Sequence, residues 1–308
     1  MKHEVKISTL LLGMFLLTQL IGLVVIDAYS PQVKQEVING TLTNITLHHE
    51  IPYEMEPPKM APNEGLKNII ISLMIAIVIF FILTKLKAAT TIKLWFSFIS
   101  LVTVAIALNG LFIKLFPLLN IRFDLIALLF SIPLTFYKIF KRNLIIHNFT
   151  ELLIYPGLAV LFVPLLNVWA IILLLFVISF YDMYAVWKSK LMVNLAKYQI
   201  KNLKIFTGFF VPYITKEQWK KIRKSKSKKA KKMKISLAIL GGGDVAFPLI
   251  FAGVILRASG MISSLMVVLF STLALLGLFV YSRKGKFYPA MPFLTIGCIV
   301  GWLVGLLF

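Results

Sequence analysis

The sequence has few of the residues that build soluble or disulfide-bonded proteins. Its 308 residues include a single cysteine, Cys298, so no disulfide can form within the chain. Acidic residues are also scarce, at 12 against 33 lysines and arginines. Hydrophobic residues make up 59% of the chain and gather in long runs with few charges. This composition excludes an ordinary soluble domain and predicts several membrane spans.

Nine apolar runs are predicted to cross a membrane, because each approaches or reaches the roughly 20 residues that span the hydrocarbon core. They cover approximately 7–27, 68–84, 94–113, 123–137, 152–166, 168–187, 235–256, 261–281 and 288–308. The predicted fold is an all-α integral membrane protein with nine transmembrane helices. The first run is interpreted as a retained span and not a signal peptide, because its apolar core is long and no small-residue cleavage site follows it.

The polar connections divide the predicted protein into three parts. Residues 1–187 hold the first six helices, with an extracytoplasmic loop at 28–67; a basic cytoplasmic loop covers 188–234; residues 235–308 hold the last three helices. With a cytoplasmic N-terminus, 27 of the 33 basic residues fall on the inner side and 6 on the outer side. The positive-inside rule therefore predicts this orientation, with the C-terminus outside, in a membrane that we expect to be the plasma membrane.

Two carboxylates, Asp182 and Asp244, lie well inside apolar runs. A charged carboxylate near mid-bilayer costs roughly 2.5–3.5 kcal/mol, so both are candidate functional residues. Their places in the sixth and seventh predicted helices put them about 8 and 14 Å from the cytoplasmic face. Two close carboxylates can share a proton, which supplies a general acid and a general base at one pH. The two acids alone fit an aspartyl protease, a structural polar pair or a proton relay.

Two short motifs accompany these acids. Three glycines that weaken a helix and permit close backbone approach precede Asp244: Gly241, Gly242 and Gly243. A second motif opens the last predicted helix and consists of Pro289, Ala290, Met291 and Pro292. Its prolines lack N–H groups and leave carbonyls available. Each motif alone is also typical of ordinary membrane helices.

Taken together, three motifs carry a family resemblance. Tyr181-Asp182, Gly241-x-Gly243-Asp244 and Pro289-Ala290-x-Pro292 resemble the signature of the GxGD intramembrane aspartyl proteases, the presenilin and signal peptide peptidase group. The chain looks most like an archaeal presenilin homologue over essentially its whole length. The resemblance implies a presenilin-like bundle in which Asp182 and Asp244 are catalytic, Tyr181 is an active-site neighbour, and the glycines and residues 289–292 contact substrate. Met291 departs from the family's usual leucine, a change that nearly conserves volume.

The resemblance also implies an activity and partners. Presenilins have the orientation predicted here, whereas signal peptide peptidases are inverted; prepilin and preflagellin peptidases share the GxGD element but lack the third motif. The implied substrates are transmembrane peptides or proteins, cut within their spans by a water that the two aspartates activate. No cofactor or metal is expected, since the adjacent His48, His49 and Glu50 cannot all face one ion. The alternative class is a transporter or ion-leak channel that uses the acids as a relay.

Three further features are interpreted without a catalytic role. Residues 220–234 hold ten basic residues and no acid; without interleaved aromatics, they are expected to contact anionic membrane lipid and not nucleic acid. The apolar segment 205–214 is predicted to lie in the membrane interface or, alternatively, to enter the active-site cavity. Glu151, at the predicted start of the fifth helix, is interpreted as an interfacial carboxylate.

Overall fold

The computed structural model describes residues 5–38, 41–47, 50–55, 62–86, 88–119, 121–141, 143–189, 207–213, 236–282 and 288–308. This part of the chain contains eight α-helices and four β-strands. The helices are α1 (Val5–Ala28), α2 (Pro62–Lys85), α3 (Ala89–Leu115), α4 (Phe123–Phe136), α5 (Leu144–Phe162), α6 (Val168–Tyr184), α7 (Gly242–Tyr281) and α8 (Met291–Gly305). Short π-helical segments, Tyr137–Lys141 and Ala185–Ser189, extend α4 and α6, and a 3-10 turn, Val163–Leu165, follows α5.

The strands form two antiparallel hairpin-like pairs. Strands β1 (Gln32–Ile38) and β2 (Thr41–Leu47) pair in the predicted extracytoplasmic loop. Strands β3 (Gly208–Tyr213) and β4 (Ser236–Gly241) pair with each other, and β4 ends where α7 begins. The prediction of an all-α protein is therefore wrong in this respect, although the protein is mostly helical.

Strand β4 also corrects the seventh predicted span. The run 235–256 was expected to be helical throughout, but its residues up to Gly241 are extended and paired with β3. Gly241 ends the strand and α7 begins at the next glycine, while cross-strand pairing with β3 satisfies the backbone groups of β4. The segment 205–214 was expected to lie in the membrane interface; its described part is instead strand β3, whose Phe209 and Val211 are buried in the protein core.

Helix α1 is central and packs against α3, α5 and α7. The contacts between α1 and α7 occur in the same residue order along both helices. A Cβ added to Gly22 would overlap the Leu249 side chain, and Gln19 Nε2 donates to the Val245 carbonyl at 3.0 Å. Helices α1 and the first part of α7 therefore run in the same direction, side by side.

Helix α8 packs along the second part of α7 through a row of glycines. Cβ atoms added to Gly297, Gly301 and Gly305 would each approach the α7 backbone to 3.1 Å or less. Small residues four apart let two membrane helices approach closely, which strengthens packing where lipid supplies no hydrophobic drive. Residues later in α8 contact residues earlier in α7, so these two segments are antiparallel.

Six of the described helices are long and apolar enough to cross a membrane. Helix α7 covers the seventh and eighth predicted spans, and its backbone leaves helical geometry at Gly260, where φ is 87°. Only glycine adopts that conformation readily. The count of nine spans stays a prediction.

Helix α5 begins eight residues before the predicted start at 152. Glu151 therefore lies inside the helix and is fully buried, at 0% exposure, so its interpretation as an interfacial carboxylate is wrong. Asn143 caps the helix by accepting hydrogen bonds from the N–H groups of Ile145 and Ile146, which sets the earlier start.

Candidate active site

Asp182 lies in the last turn of α6 and faces the start of α8. Its side chain is buried, and its Oδ2 accepts a hydrogen bond of 3.1 Å from the backbone N–H of Met291. The Ala290 N–H also points toward this carboxylate. These donors are the unpaired N–H groups of a helix start, which favour a negatively charged partner. Asp182 is thus oriented by the motif 289–292.

Asp244 lies in the first turn of α7, three residues after β4 ends. The estimate that places it nine residues into a helix, about 14 Å deep, is therefore wrong, because the residues before Gly242 are extended. The Asp244 carboxylate is close enough to Asp182 to interact with it electrostatically, and the Gly241 backbone N–H also approaches it. The structure therefore brings the two predicted acids together from different helices.

The three glycines before Asp244 have different surroundings. A Cβ on Gly241 would lie 3.0 Å from Oδ2 of Asp244, and one on Gly242 would lie 2.9 Å from the Tyr155 hydroxyl. A Cβ on Gly243 would meet nothing closer than the Phe247 ring at 3.6 Å, and Gly243 is exposed. The first two glycines are thus required by neighbouring groups, while the third lines open space beside Asp244.

The other predicted site residues divide between the interior and the outer face. Pro289 and Met291 are buried at the α6–α8 contact, and Ala290 and Pro292 are partly exposed. Tyr181 is 49% exposed, because adjacent residues of a helix point in different directions and Asp182 points inward. Tyr181 therefore neighbours the dyad in sequence, while its side chain lies toward the outer face of α6.

Several polar residues near the acids were missed by the sequence reasoning. Ser179 and Thr295 share a hydrogen bond of 2.8 Å between α6 and α8, one turn away from the Asp182–Met291 contact. Gln19 holds the Val245 carbonyl beside Asp244. The Tyr155 hydroxyl interacts electrostatically with both Glu151 and Asp244. A usable signal was the presence of a glutamine and a glutamate within apolar runs, since polar groups in membrane helices mark functional positions.

Among the described residues, no group of three or more histidine, cysteine, aspartate or glutamate side chains is placed to hold a metal ion. The site itself presents two adjacent carboxylates, backbone N–H donors and an open glycine surface. A bundle of membrane-spanning helices with such a carboxylate pair at a helix start has the features of an intramembrane aspartyl protease.

Comparisons with known proteins agree with this class. The family model for "Signal-peptide peptidase, presenilin aspartyl protease" matches residues 39–308. The chain therefore belongs to the signal peptide peptidase and presenilin family of intramembrane aspartyl proteases. No match was found among proteins of curated function.

Two solved structures, both of a presenilin family intramembrane aspartate protease, share the fold. The one in space group C222 has a TM-score of 0.62 and 17% sequence identity, covering 97% of this chain and 98% of its own. The one in space group P2 has a TM-score of 0.57 and 16% identity, covering 96% of each chain.

Proposed function

We propose that Asp182 and Asp244 are the catalytic dyad and hydrolyse peptide bonds within transmembrane segments by general acid–base catalysis. One carboxylate takes a proton from water as the water oxygen attacks the scissile carbonyl carbon. The partner, a protonated carboxylic acid, gives its proton to the carbonyl oxygen. The tetrahedral intermediate then collapses: its C–N bond breaks, the amide nitrogen leaves with the proton that the first carboxylate took from water, and one hydroxyl of the intermediate returns its proton to the second carboxylate, which restores the dyad. The net reaction consumes one water and needs no cofactor.

The observation that carries this proposal is the meeting of Asp182 and Asp244 within a buried site. Each acid is oriented by main-chain N–H groups, from Met291 for the first and from the Gly241 turn for the second. Fixed backbone donors hold a catalytic group in place at no reorganisation cost. A structural polar pair would not need the open surface at Gly243.

Strand β4 supplies the best surface for substrate backbone. A substrate helix must unwind before its peptide bonds can react, and the freed N–H and C=O groups need partners inside the membrane. One edge of β4 pairs with β3. No described residue hydrogen-bonds the other edge at Leu237 and Ile239, and Ile239 is 41% exposed. An extended substrate strand that joins this edge leads directly to Asp244, with residues 289–292 on its other side.

The remaining predictions complete the proposal. The protein inserts in the plasma membrane with a cytoplasmic N-terminus, and its three parts are 1–187, 188–234 and 235–308. Parallel contacts between α1 and the first part of α7, and antiparallel contacts of α8 with α6 and the second part of α7, support alternating spans. The basic segment 220–234 lies outside the described residues and is proposed to contact anionic lipid.

The test is a cleavage assay on the purified full-length chain with a transmembrane peptide in detergent, and an ion-flux assay in vesicles. We expect fragments of the peptide and a bell-shaped pH profile that belongs to the coupled pair of acids. Ion flux without any peptide cleavage would instead favour the transporter alternative.

A further inference from the structure

The backbone polar groups of β3 that do not pair with β4 form hydrogen bonds with two adjacent residues near the start of α5. In an antiparallel strand, the N–H and C=O of a residue point to the same side, and successive residues alternate. Both backbone groups of Phe210 bond to the Asn148 side chain: Nδ2 donates to the carbonyl at 2.8 Å, and the N–H donates to Oδ1 at 3.0 Å. The backbone N–H and C=O of Phe210 therefore point away from β4, along what we call the outer edge of β3. The backbone groups of Gly208 and Pro212 lie on the same outer edge.

The neighbouring residue of α5 reaches a second residue of that edge. His147 Nε2 donates to the Gly208 carbonyl at 2.9 Å, since a carbonyl can only accept. The His147 ring also lies 5.1 Å from the Phe210 ring. Pro212 has no N–H to offer, which is why proline is tolerated at a strand edge. Three backbone polar groups of the outer edge are thus hydrogen-bonded to α5, and Pro212 has no N–H group that would need a partner.

A buried ion pair lies next to this contact. Lys138 Nζ, in the π-helical segment after α4, lies 2.7 Å from Glu151 Oε1, and the two side chains are 4% and 0% exposed. The same Glu151 oxygen lies 3.7 Å from His147 Nε2. A buried ion pair seldom adds net stability, because the desolvation of both charges offsets their attraction. Its place beside His147 therefore calls for a role other than holding α4 to α5.

We propose that Asn148 and His147, with the Lys138–Glu151 pair beside His147, form an edge clasp that holds the outer edge of β3 and fixes the register of β3 against β4. The clasp leaves β4 as the edge that a substrate strand joins, and it sets which substrate bond reaches the dyad. This inference rests on the proposed substrate pairing with β4. The four residues act through the strand and not on the reacting atoms, so they are positioning residues.

The geometry gives the clasp a specific consequence. Strand β4 runs into Gly241 and Asp244, and Gly208 pairs with Gly241 across the sheet. A substrate strand that slips by two residues along β4 keeps the same side chains on each face, so this is the smallest slip that a loosened sheet edge would permit. Loss of the clasp is therefore expected to weaken substrate binding and to add cleavage positions displaced by two residues.

The test compares two asparagines of the same helix in the purified full-length chain. Asn148→Ala removes both bonds to Phe210, whereas Asn143→Ala removes only the N-cap of α5 and does not touch β3. KM, kcat and the cleavage positions of a transmembrane peptide are measured, the last by mass spectrometry. For Asn148→Ala we expect KM to rise about tenfold, as the loss of one or two hydrogen bonds implies, with kcat within about twofold. New products displaced by two residues should appear.

Two further variants separate positioning from folding. Asn148→Gln retains the amide and should restore much of the wild-type KM, and His147→Gln should do better than His147→Ala because it keeps a donor for Gly208. Hydrogen exchange at 208–213 in the full-length chain reports the clasp without activity; we expect faster exchange in Asn148→Ala and unchanged exchange in Asn143→Ala.

The proposal is overturned if Asn148→Ala keeps the wild-type KM, cleavage positions and exchange, or if Asn143→Ala alters them equally. These outcomes are distinct from a failure of the proposed function, in which the wild-type protein would cleave no peptide.

Discussion

At the scale of single residues, the site depends on how little space surrounds Asp244. Gly241 and Gly242 are in near contact with the Asp244 carboxylate and the Tyr155 hydroxyl, while Gly243 faces open space. Three glycines that look equivalent in the sequence therefore have three different roles.

The glycine series gives a graded prediction. Gly241→Ala should lower kcat by about 100-fold, because a small displacement of a catalytic group costs rate on that scale. Gly243→Ala should stay within about twofold of wild type, and alanine should slightly stabilise the helix start. Gly243→Leu should fill the open space and block peptide entry. Cleavage kinetics of the purified variants check the series, and equal losses in Gly241→Ala and Gly243→Ala would contradict it.

The residue scale is also where the sequence is most informative. Asp182 and Asp244 could be found because a carboxylate inside an apolar run is costly and rare. Glu151 was misread because α5 begins earlier than its hydropathy suggests; a buried lysine partner, Lys138, lies 13 residues away in another segment. Such pairing is invisible until the helices are packed.

At the scale of elements, α6 and α8 are held together beside the dyad by two hydrogen bonds one turn apart. The Asp182–Met291 bond is joined by the bond between Ser179 and Thr295, both of which are buried. Polar bonds of this kind fix the rotation of one membrane helix against another. The second bond therefore keeps Asp182 aimed at the start of α8.

Removal of that second bond should reduce catalysis more than stability. Ser179→Ala and Thr295→Val each leave a buried hydroxyl unpaired, which costs about 1–3 kcal/mol. We expect kcat to fall several-fold in each single variant, and the double variant to lose less than the product of the two effects. Thr272→Val is the matched control, because Thr272 bonds only within its own helix, to Val268. Additive losses in the double variant would show that the two hydroxyls are not coupled.

The strands are the elements that sequence reasoning missed. Residues 236–240 are a short apolar run before glycine, and such a run fits a strand as well as a buried helix. The partner strand 208–213 lies across a long basic stretch of sequence. Strand pairing over that separation has no local signal, whereas the helices could be predicted because each carries its own apolar run.

At the scale of the whole molecule, the directions of the helices determine which substrates can be cut. Asp182 lies at the end of α6 and Asp244 at the start of α7, so both acids lie toward the side of the bundle where α6 ends and α7 begins. The positive-inside rule predicts that this side is cytoplasmic. A strand edge pairs with parallel and with antiparallel partners through different hydrogen-bond patterns, so substrates of opposite direction present different backbone groups to the site.

We therefore expect preferential cleavage of single-span substrates whose N-terminus is outside, with release of their cytoplasmic ends. Tags at both ends of the chain, probed in intact cells, should be reachable from outside after Phe308 and protected before Met1. Matched substrates of opposite orientation in reconstituted vesicles provide the kinetic comparison. Faster cleavage of substrates with an inside N-terminus would reverse the proposed direction and leave the dyad unaffected.

The most direct measurement is peptide cleavage by purified Asp182→Asn and Asp244→Asn proteins. An amide cannot exchange the proton that either role requires, so each variant should lose activity by about 10⁴-fold or more while remaining folded. Asp124→Asn is the matched control, because Asp124 starts another apolar helix and pairs with Arg122 at the surface; it should cleave at the wild-type rate. Wild-type cleavage in either dyad variant would contradict the assignment of Asp182 and Asp244 as the catalytic pair.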